Sequence, residues 1–238
     1  MTIDTLCLGG LSTNCYLVYD KMTKEAIVID PADSAEFIAE QVLRLKLNLR
    51  AIIATHGHFD HNLAAGELQL ILSNNKAIEQ SSNRIIPYFI HRDDLFLLKT
   101  MNQSASFWLK RKINYPLPQN IKFFEQEMFH VSRLMFHVLH TPGHTPGSVC
   151  IFFKNKLIST NHTAGGDQFQ PVTTMFSGDT IFKNNIGRYD FSYSNKDALY
   201  KLLKQILSLP KKTIILPGHG ESTTVQEEIK NQPIKTII

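Results

Sequence analysis

Residues 55–61 form the stretch THGHFDH, which directly follows the apolar run AIIA at residues 51–54. The run is short and rich in β-branched side chains, so it predicts a buried strand. The histidines and the aspartate of the stretch therefore lie in a loop at a strand end, where open α/β sheets bind their ligands. Imidazole and carboxylate groups suit zinc, iron or manganese, and no cysteine lies nearby. The stretch predicts a catalytic metal site rather than a closed structural zinc site.

Three later segments repeat this arrangement, in which a metal-binding residue type stands beside glycine. His144 lies in TPGHTPGS (141–148), Asp179 lies in SGDT (177–180), and His219 lies in LPGHG (216–220). Each segment follows an apolar, strand-like run. Glycine lets the backbone turn sharply and approach an ion closely. The sequence thus predicts that several strand ends contribute to one metal site.

The composition is ordinary for a soluble globular chain. The 238 residues carry a formal net charge of +4 without a dense basic block, so we expect no nucleic-acid partner. The N-terminus lacks a signal-peptide pattern, and no apolar run approaches the roughly 20 residues needed to span a bilayer. Cys7, Cys15 and Cys150 are widely spaced in apolar segments, which predicts small core residues in a reducing compartment. These features predict a cytoplasmic protein with no membrane partner.

Strand-like and helical runs alternate in both halves of the chain. Strands are predicted at residues 16–19, 26–30 and 51–54, and the alternation of strand and loop resumes from Phe136. This order predicts an α/β fold with two sheets packed between helical layers. No linker interrupts it, so residues 1–238 are predicted to form a single domain.

Helix-capping patterns predict where three helices begin. Asp33 or Ser34 is expected to cap the first helix, with Glu36 completing a capping box. Asn195 is expected to cap a strongly amphipathic helix, and a last helix is predicted to begin near Thr224.

The series THGHFDH, TPGHTPGS, SGDTIF and LPGHG, in this order, resembles the metallo-β-lactamase superfamily. Within it, the series is most similar to the glyoxalase II-like branch, the hydroxyacylglutathione hydrolases. The resemblance extends to residues 13–18, 29–32 and 186–191 and so covers nearly the whole chain. It implies an αββα four-layer sandwich of the metallo-β-lactamase type.

The resemblance also implies which side chains bind two divalent metal ions. His56, His58 and His144 would bind the first ion, Asp60, His61 and His219 the second, and Asp179 would bridge the two. Asp60 is also expected to act in catalysis, by orienting the bridging water and carrying its proton. Two ions about 3.5–4 Å apart can share a water and polarise the carbonyl that it attacks. Zinc is the default ion, and the same ligand set suits iron or manganese.

This resemblance makes a dinuclear metal-dependent hydrolase the leading hypothesis, with a small-molecule thioester such as S-lactoylglutathione as substrate. Lactone or ester hydrolysis is the first alternative, because those enzymes share the ligand set. A mononuclear iron persulfide dioxygenase is the second, in which Asp60, His61 and His219 would not all bind metal. A β-lactamase and a non-enzymatic nucleic-acid binder fit the motifs less well.

Two departures from glyoxalase II proper leave the substrate open. That enzyme carries an added C-terminal helical region that contributes to glutathione binding, whereas this sequence ends soon after His219. Residues 159–173 resemble an insertion before the Asp179 motif, with a turn signal at residues 164–167. We expect either a plain hairpin tip or a segment that borders the active site.

Several other side chains have two interpretations. Asp30 and His140 are expected either to hydrogen-bond the metal ligands or simply to pack in their strands. Phe107 and Trp108 are expected to pack in the core, with an apolar wall over the cleft as the alternative. The remaining histidines have no ligand-like context and are predicted to be surface or packed residues: His91, His130, His137 and His162.

The segment GRYD at residues 187–190 differs from the branch's usual GRTD by its tyrosine. Arg188 and Asp190 are expected to form a structural ion pair near the site. Tyr189 is expected either to contact the substrate or to pack as a half-buried side chain.

Overall fold

The computed structural model describes residues 1–73, 85–125, 127–131, 134–155 and 172–230. Of the predicted insertion at 159–173, Val172 and Thr173 belong to a strand, and the rest, with His162, lies outside the described residues. No helix in the described ranges is long and apolar enough to cross a membrane.

Two six-stranded sheets and a small hairpin contain the strands of the described residues. The first sheet consists of β1 (Thr2–Leu8), β2 (Thr13–Tyr19), β3 (Glu25–Ile29), β4 (Asn48–Ile53), β5 (Tyr88–Ile90) and β6 (Ile121–Phe123). The second consists of β7 (Met128–Val131), β8 (Leu134–His140), β9 (Val149–Asn155), β10 (Val172–Gly178), β13 (Ile214–Pro217) and β14 (Thr223–Thr224). The hairpin consists of β11 (Ile181–Phe182) and β12 (Asn185–Ile186).

Helices occupy several of the connections between these strands, and one follows the last strand. The α-helices are α1 (Ala35–Arg44), α2 (Ala65–Ser73), α3 (Leu95–Lys99), α4 (Met101–Trp108), α5 (Lys196–Leu207) and α6 (Val225–Lys230). Two single-turn 3₁₀ helices, Phe59–His61 and Arg92–Asp94, follow β4 and β5 respectively.

The strand directions bring several loops to the same edge. The first sheet has the order β1-β2-β3-β4-β5-β6, with β3, β4, β5 and β6 paired in parallel. The second has the order β14-β13-β10-β9-β8-β7, where β10 and β13 pair in parallel and β8 runs antiparallel to β9. Strands β8, β10 and β13 therefore point the same way, so the loops that follow them leave one edge of the sheet.

The alternation of side chains along β2 explains why the first sheet is covered on both faces. Cys15 and Leu17 are fully buried in the core that α1 and α2 share with this sheet. Tyr16 and Val18 point the other way, into the core between the two sheets, where Phe176 of β10 meets the Tyr16 ring edge-on at 4.9 Å. Every residue of β2 is buried.

The outer face of the second sheet is covered by α5. Its apolar side chains recur at helical spacing, and Leu199 and Leu203 pack in one buried cluster with Met175 of β10 and Ile215 of β13. Helix, sheet, sheet and helix are thus stacked in that order, and the predicted αββα four-layer sandwich is confirmed.

The helix starts agree with two of the three capping predictions. The Asn195 side chain accepts a hydrogen bond from the Ala198 amide at 3.0 Å, so it caps α5 as predicted. Thr224 directly precedes α6, as predicted. The capping box predicted for Asp33 or Ser34 with Glu36 is wrong, because Ser34 precedes α1 with left-handed backbone angles (φ 56°, ψ 57°) and its side chain makes no cap bond. The Asp33 carboxylate instead accepts a hydrogen bond from the neighbouring Ser34 amide. A capping serine needs extended backbone angles to aim its hydroxyl at the first-turn amides.

The cysteine prediction is correct for two residues and wrong for one. Cys15 and Cys150 are fully buried. Cys7 is exposed, because β1 is an edge strand and Cys7 points to its solvent side.

Candidate metal centre

Four loops that follow strands meet at one end of the sandwich. They follow β4, β8, β10 and β13, and they carry the seven predicted ligands. The start of β2 joins them, since Thr13 forms a β-bridge with His219. We call these seven side chains the strand-end cluster: His56, His58, Asp60, His61, His144, Asp179 and His219.

Three histidines of the strand-end cluster form one compact group. The Nδ1 atom of His58 lies 3.1 Å from Nε2 of His56 and 3.0 Å from Nε2 of His144. The three atoms lie on loops that follow strands of two different sheets, because the loop of His56 and His58 follows β4 and that of His144 follows β8. A single ion could contact all three nitrogens.

A second group lies directly beside the first. Nε2 of His219 lies 3.3 Å from Oδ2 of Asp60, and Nε2 of His61 lies 3.7 Å from the same oxygen. Asp179 stands between the groups, with Oδ1 at 3.3 Å from Nε2 of His61 and Oδ2 at 3.6 Å from Nε2 of His144. The structure therefore brings all seven predicted side chains together.

Hydrogen bonds on the outer side of the rings fix which nitrogen faces inward. Nδ1 of His144 donates to the Arg188 carbonyl at 2.8 Å, and Nδ1 of His219 donates to the Leu11 carbonyl at 3.1 Å. A neutral imidazole carries a single N–H, so the other nitrogen of each ring presents a lone pair. The inward nitrogens are thus prepared to bind a cation.

Asp30 orients two more of the rings. Of its two interpretations, the one in which it hydrogen-bonds the metal ligands agrees with the structure. Its Oδ2 accepts a hydrogen bond from Nδ1 of His61 at 3.0 Å and another from the Thr55 hydroxyl at 2.7 Å. The Thr55 oxygen in turn lies 3.1 Å from Nδ1 of His56. Asp30 is buried, so this chain of bonds orients His61 directly and His56 through Thr55.

Two atoms of the cluster have no hydrogen-bond partner although they are buried. These are Nε2 of His61 and Oδ1 of Asp179. Buried polar atoms are nearly always satisfied, so such atoms call for an ion or other ligand. A Cβ atom at Gly218 would collide with Oδ1 of Asp179 and with Cε1 of His61, so glycine keeps this space open. The donor set and the space both fit divalent metal ions.

The electrostatics of the two groups differ. Burial lowers the pKa of His58 to about 3 and that of His56 well below its ordinary value, so both rings are neutral and ready to act as ligands. Burial opposes the charge of His61 as well, but Asp179, Asp60 and Asp30 outweigh it and raise the pKa of His61. The three carboxylates thus favour positive charge at this group, and a bound cation would supply it.

Tyr193 contacts the first group and was not predicted from the sequence. Its hydroxyl oxygen lies 2.9 Å from Nε2 of His58. Since Nδ1 of His58 faces the other two histidines, Nε2 carries the proton and donates it to this oxygen. The Tyr193 ring stacks on Phe191 at 5.4 Å and with planes 13° apart, which holds the hydroxyl in place. No motif marks this position.

A cavity of about 300 Å³ opens onto the cluster. His58, Asp60, His144 and Asp179 line one side of it; Leu11, Phe59, Leu97, Trp108 and Phe191 make much of the rest. Core packing is therefore the wrong interpretation for Phe107 and Trp108, which are 64% and 53% exposed. For Trp108 the alternative, a wall of the cleft, agrees with the structure.

The GRYD segment packs beside the cavity, and its Arg188 lines the cavity wall. Arg188 and Asp190 form the predicted ion pair through two contacts of 2.9 Å each, and the Arg188 guanidinium lies 4.6 Å from the centre of the Phe191 ring. The Tyr189 ring packs against Tyr200 of α5 at 5.8 Å. The packing interpretation of Tyr189 is thus the one that agrees with the structure.

His140 does not hydrogen-bond any of the seven ligands. Its ring stacks on His91 at 4.0 Å with planes 10° apart, and its Nε2 donates to the Pro146 carbonyl at 2.8 Å. His140 and His91 are therefore packed residues, as the plainer interpretation of each predicted.

With this geometry established, comparison with known proteins identifies the family. A model described as the metallo-beta-lactamase superfamily matches residues 8–156. The chain belongs to the metallo-beta-lactamase superfamily. Members of this superfamily are generally metal-dependent hydrolases that bind two metal ions, and this chain has His and Asp groups that could hold such ions.

Three known proteins are similar to this chain over nearly its whole length. Hydroxyacylglutathione hydrolase GloC from Haemophilus influenzae is 30% identical over 234 residues, covering 98% of this chain and 97% of that protein. The B3 metallo-beta-lactamase BLEG-1 has a TM-score of 0.78 at 28% identity, covering 99% of this chain and 100% of its own. TTHA1623 in a di-iron-bound form has a TM-score of 0.74 at 31% identity, covering 97% and 98%.

Proposed function

We propose that this superfamily member is a dinuclear hydrolase of thioesters, with a glutathione thioester such as S-lactoylglutathione as its substrate. The strand-end cluster carries the proposal, because two groups of ligand atoms and a carboxylate between them face one cavity. The similarity to the Haemophilus influenzae protein named hydroxyacylglutathione hydrolase supports the choice of a thioester.

Each group of the cluster is assigned one ion. His56, His58 and His144 would hold the first ion, Asp60, His61 and His219 would hold the second, and Asp179 would serve both. Asp179 suits this role because its two oxygens face different groups. We propose zinc as the ion. Iron is the alternative that the di-iron form of TTHA1623 supports, and manganese also suits these donors.

Asp60 is proposed to move the proton during turnover. Two divalent ions in this centre would supply Lewis acidity, lowering the pKa of a nearby water and polarising the acyl carbonyl. Hydrolysis joins the oxygen of water to the acyl carbon while the bond from that carbon to sulfur breaks. The Asp60 carboxylate lines the cavity, and its Oδ2 is held by the Thr13 hydroxyl at 3.2 Å. It takes a proton from the water and returns it to the departing thiolate.

The cavity accommodates the remainder of the substrate. Its volume of about 300 Å³ suits a small acyl group and part of a carrier. Leu97 and Trp108 provide apolar contact area, while Ser104 and Arg188 provide polar contacts on the same walls. A thioester that is apolar near the sulfur and polar beyond it matches this lining.

Lactone or ester hydrolysis is the alternative activity, because it needs the same ions and the same attack on a carbonyl. The similarity to BLEG-1 makes a β-lactam a further substrate to test. A mononuclear iron dioxygenase is less compatible with the geometry. The ligand atoms of Asp60, His61 and His219 lie within 4.8 Å of one another, as a second ion requires.

The test is hydrolysis of S-lactoylglutathione by purified protein that has been reconstituted with zinc. A lactone, a simple ester, a β-lactam and glutathione persulfide are assayed in parallel, the last by oxygen consumption with iron-loaded protein. Turnover of the thioester well above the other substrates supports the proposal. A two-metal protein that prefers the lactone or the β-lactam would contradict the thioester and leave the metal centre standing.

A further inference from the structure

Asp94 is a buried carboxylate to which the proposed chemistry assigns no role. It ends the 3₁₀ helix Arg92–Asp94, its relative exposure is 0%, and it is not one of the seven cluster residues. Its Oδ2 accepts hydrogen bonds from the Gly57 amide at 2.8 Å and from the Thr145 hydroxyl at 2.6 Å. Its Oδ1 accepts one from the Gly147 amide at 2.6 Å. All three donors belong to the loops that carry the first group of histidines.

The positions of these donors along the chain are specific. Gly57 lies between His56 and His58, and Thr145 directly follows His144. The first of these loops leaves the first sheet and the second leaves the other sheet. Asp94 therefore joins two loops whose relative placement sets the distances among the three imidazole nitrogens.

Both loops approach Asp94 so closely that only glycine fits. A Cβ atom at Gly57 would lie 2.7 Å from the Asp94 carbonyl oxygen, and one at Gly147 would lie 2.7 Å from the Asp94 carboxyl carbon. The second group of ligands is held by other contacts, since His61 is fixed by Asp30 and His219 by the Leu11 carbonyl. The influence of Asp94 is thus directed at the first group.

We propose that Asp94 is a positioning residue for the first metal ion. It touches no imidazole of that group, and it acts by holding the loop of His56 and His58 at a fixed distance from the loop of His144. Hydrogen bonds to a carboxylate are stronger than those between neutral groups, so three of them make a stiff connection. The inference rests on the proposed metal centre and does not depend on the substrate.

The decisive variant is Asp94→Asn, which keeps the side-chain volume but turns one acceptor into an NH₂ group. That group faces at least one of the three donors, so at least one bond becomes a repulsive contact. Changes to groups that orient metal ligands typically cost about 10- to 100-fold in metal affinity. Asp93→Asn is the matched control, because Asp93 is the neighbouring carboxylate and its side chain is 55% exposed.

Each ion is measured separately by cobalt(II) titration of metal-stripped protein, followed by absorbance. In a His219→Ala background, which retains the first group, Asp94→Asn is expected to weaken binding about 10- to 100-fold and to alter the cobalt spectrum. In a His144→Ala background, which retains the second group, it is expected to leave binding unchanged. Asp93→Asn is expected to change neither.

Thr145 provides a milder pair of variants in case Asp94→Asn fails to fold. Thr145→Val removes one donor and keeps the shape, and should weaken the first ion by up to about tenfold, the worth of one hydrogen bond. Thr145→Ser retains the hydroxyl and should restore the affinity. Equal weakening of both ions, or a lower melting temperature with unchanged affinities, would overturn the inference. A wild-type protein that binds fewer than two ions would instead overturn the proposed metal centre.

Discussion

Two groups of histidine and aspartate side chains lie at strand ends of this molecule. They differ in whether their possible ligand atoms already have hydrogen-bond partners. The strand-end cluster contains seven ligands, and the outer cluster consists of His91, Asp93 and His140. The seven ligands form three overlapping groups of three, and within each of these, as within the outer cluster, potential ligand atoms lie within 4.8 Å of one another. Spacing alone therefore does not separate them.

In the outer cluster, the ring nitrogen of His91 that could bind a metal is already occupied, and none of the cluster's described atoms is buried without a hydrogen-bond partner. Nδ1 of His91 accepts a hydrogen bond from the Asp93 amide at 3.3 Å, and Nε2 of His140 donates to the Pro146 carbonyl at 2.8 Å. Nε2 of a neutral His91 must then carry the proton, so an ion there would have to break the cap of the 3₁₀ helix. The Asp93 side chain is exposed, so water can solvate its negative charge and no cation is needed to balance it.

The strand-end cluster shows the opposite arrangement. Hydrogen bonds on the outer side hold the rings, and the inner side contains buried atoms without partners. The comparison indicates that a metal site is identified by buried ligand atoms that lack hydrogen-bond partners. The proximity of ligand atoms to one another is not sufficient. The predictions that follow test this criterion.

The largest effect is expected from Asp179→Ala. This change removes the carboxylate that faces both groups and leaves Nε2 of His61 without its nearest counter-charge. We expect loss of two-metal loading and a fall in S-lactoylglutathione turnover of more than about 100-fold. Loss of a group that only orients a ligand typically costs about 10- to 100-fold, and loss of the ligand itself should cost more. Metal analysis by mass spectrometry and a thioester assay measure both. Asp93→Ala is the control in the outer cluster, and full activity of Asp179→Ala with two bound ions would refute the assignment.

The next effect concerns tautomers and uses Asp30→Asn. If the amide NH₂ replaces Oδ2, it faces the Nδ1–H of His61, which favours moving that proton to Nε2. The ligand lone pair of His61 is then lost, so we expect about 10- to 100-fold weaker binding of the second ion. Nitrogen NMR of the histidine side chains reports the tautomer directly. An unchanged His61 spectrum together with weaker binding would show that Asp30 acts by another route.

The sequence was sufficient for the ligands but insufficient for the groups that hold them. Each ligand lies in a short glycine-containing motif after a strand, so local pattern and family resemblance were enough to bring His144 and Asp179 to the same place. Tyr193 contacts His58 across 135 residues without any such motif. Asp94 likewise joins segments 37 and 53 residues away. Contacts of this kind follow from tertiary packing, which no local pattern contains.

Local pattern also failed where the backbone adopted an uncommon conformation. Asp33 and Glu36, three residues apart, resembled a capping box, but Ser34 precedes the helix with left-handed backbone angles and its side chain makes no cap bond. Local pattern also failed for Trp108. An aromatic residue in a short helix was expected to pack in the core, but Trp108 is exposed on the wall of the cavity.

A smaller effect is expected from Tyr193→Phe. The ring keeps its stacking on Phe191, and only the oxygen that accepts from Nε2 of His58 is lost. One such hydrogen bond is worth about 1 kcal/mol, so the affinity of the first ion should fall by up to about tenfold. Cobalt titration in the His219→Ala background measures it. No change in affinity would mean that water replaces the hydroxyl without cost, and that the outer bond of His58 contributes little.

The smallest effect is expected from His140→Ala, which removes the stacked ring and the bond to Pro146 from the outer cluster. Zinc content per chain should stay at two, and unfolding should become easier by at most about 1 kcal/mol, because the lost hydrogen bond is exposed. Thermal denaturation and metal analysis on one preparation give both values. If the variant instead loses an ion that the wild type holds, the outer cluster binds metal although it contains no buried atom without a hydrogen-bond partner. Proximity of ligand atoms would then be sufficient, and buried atoms without partners could no longer be used to tell the two clusters apart.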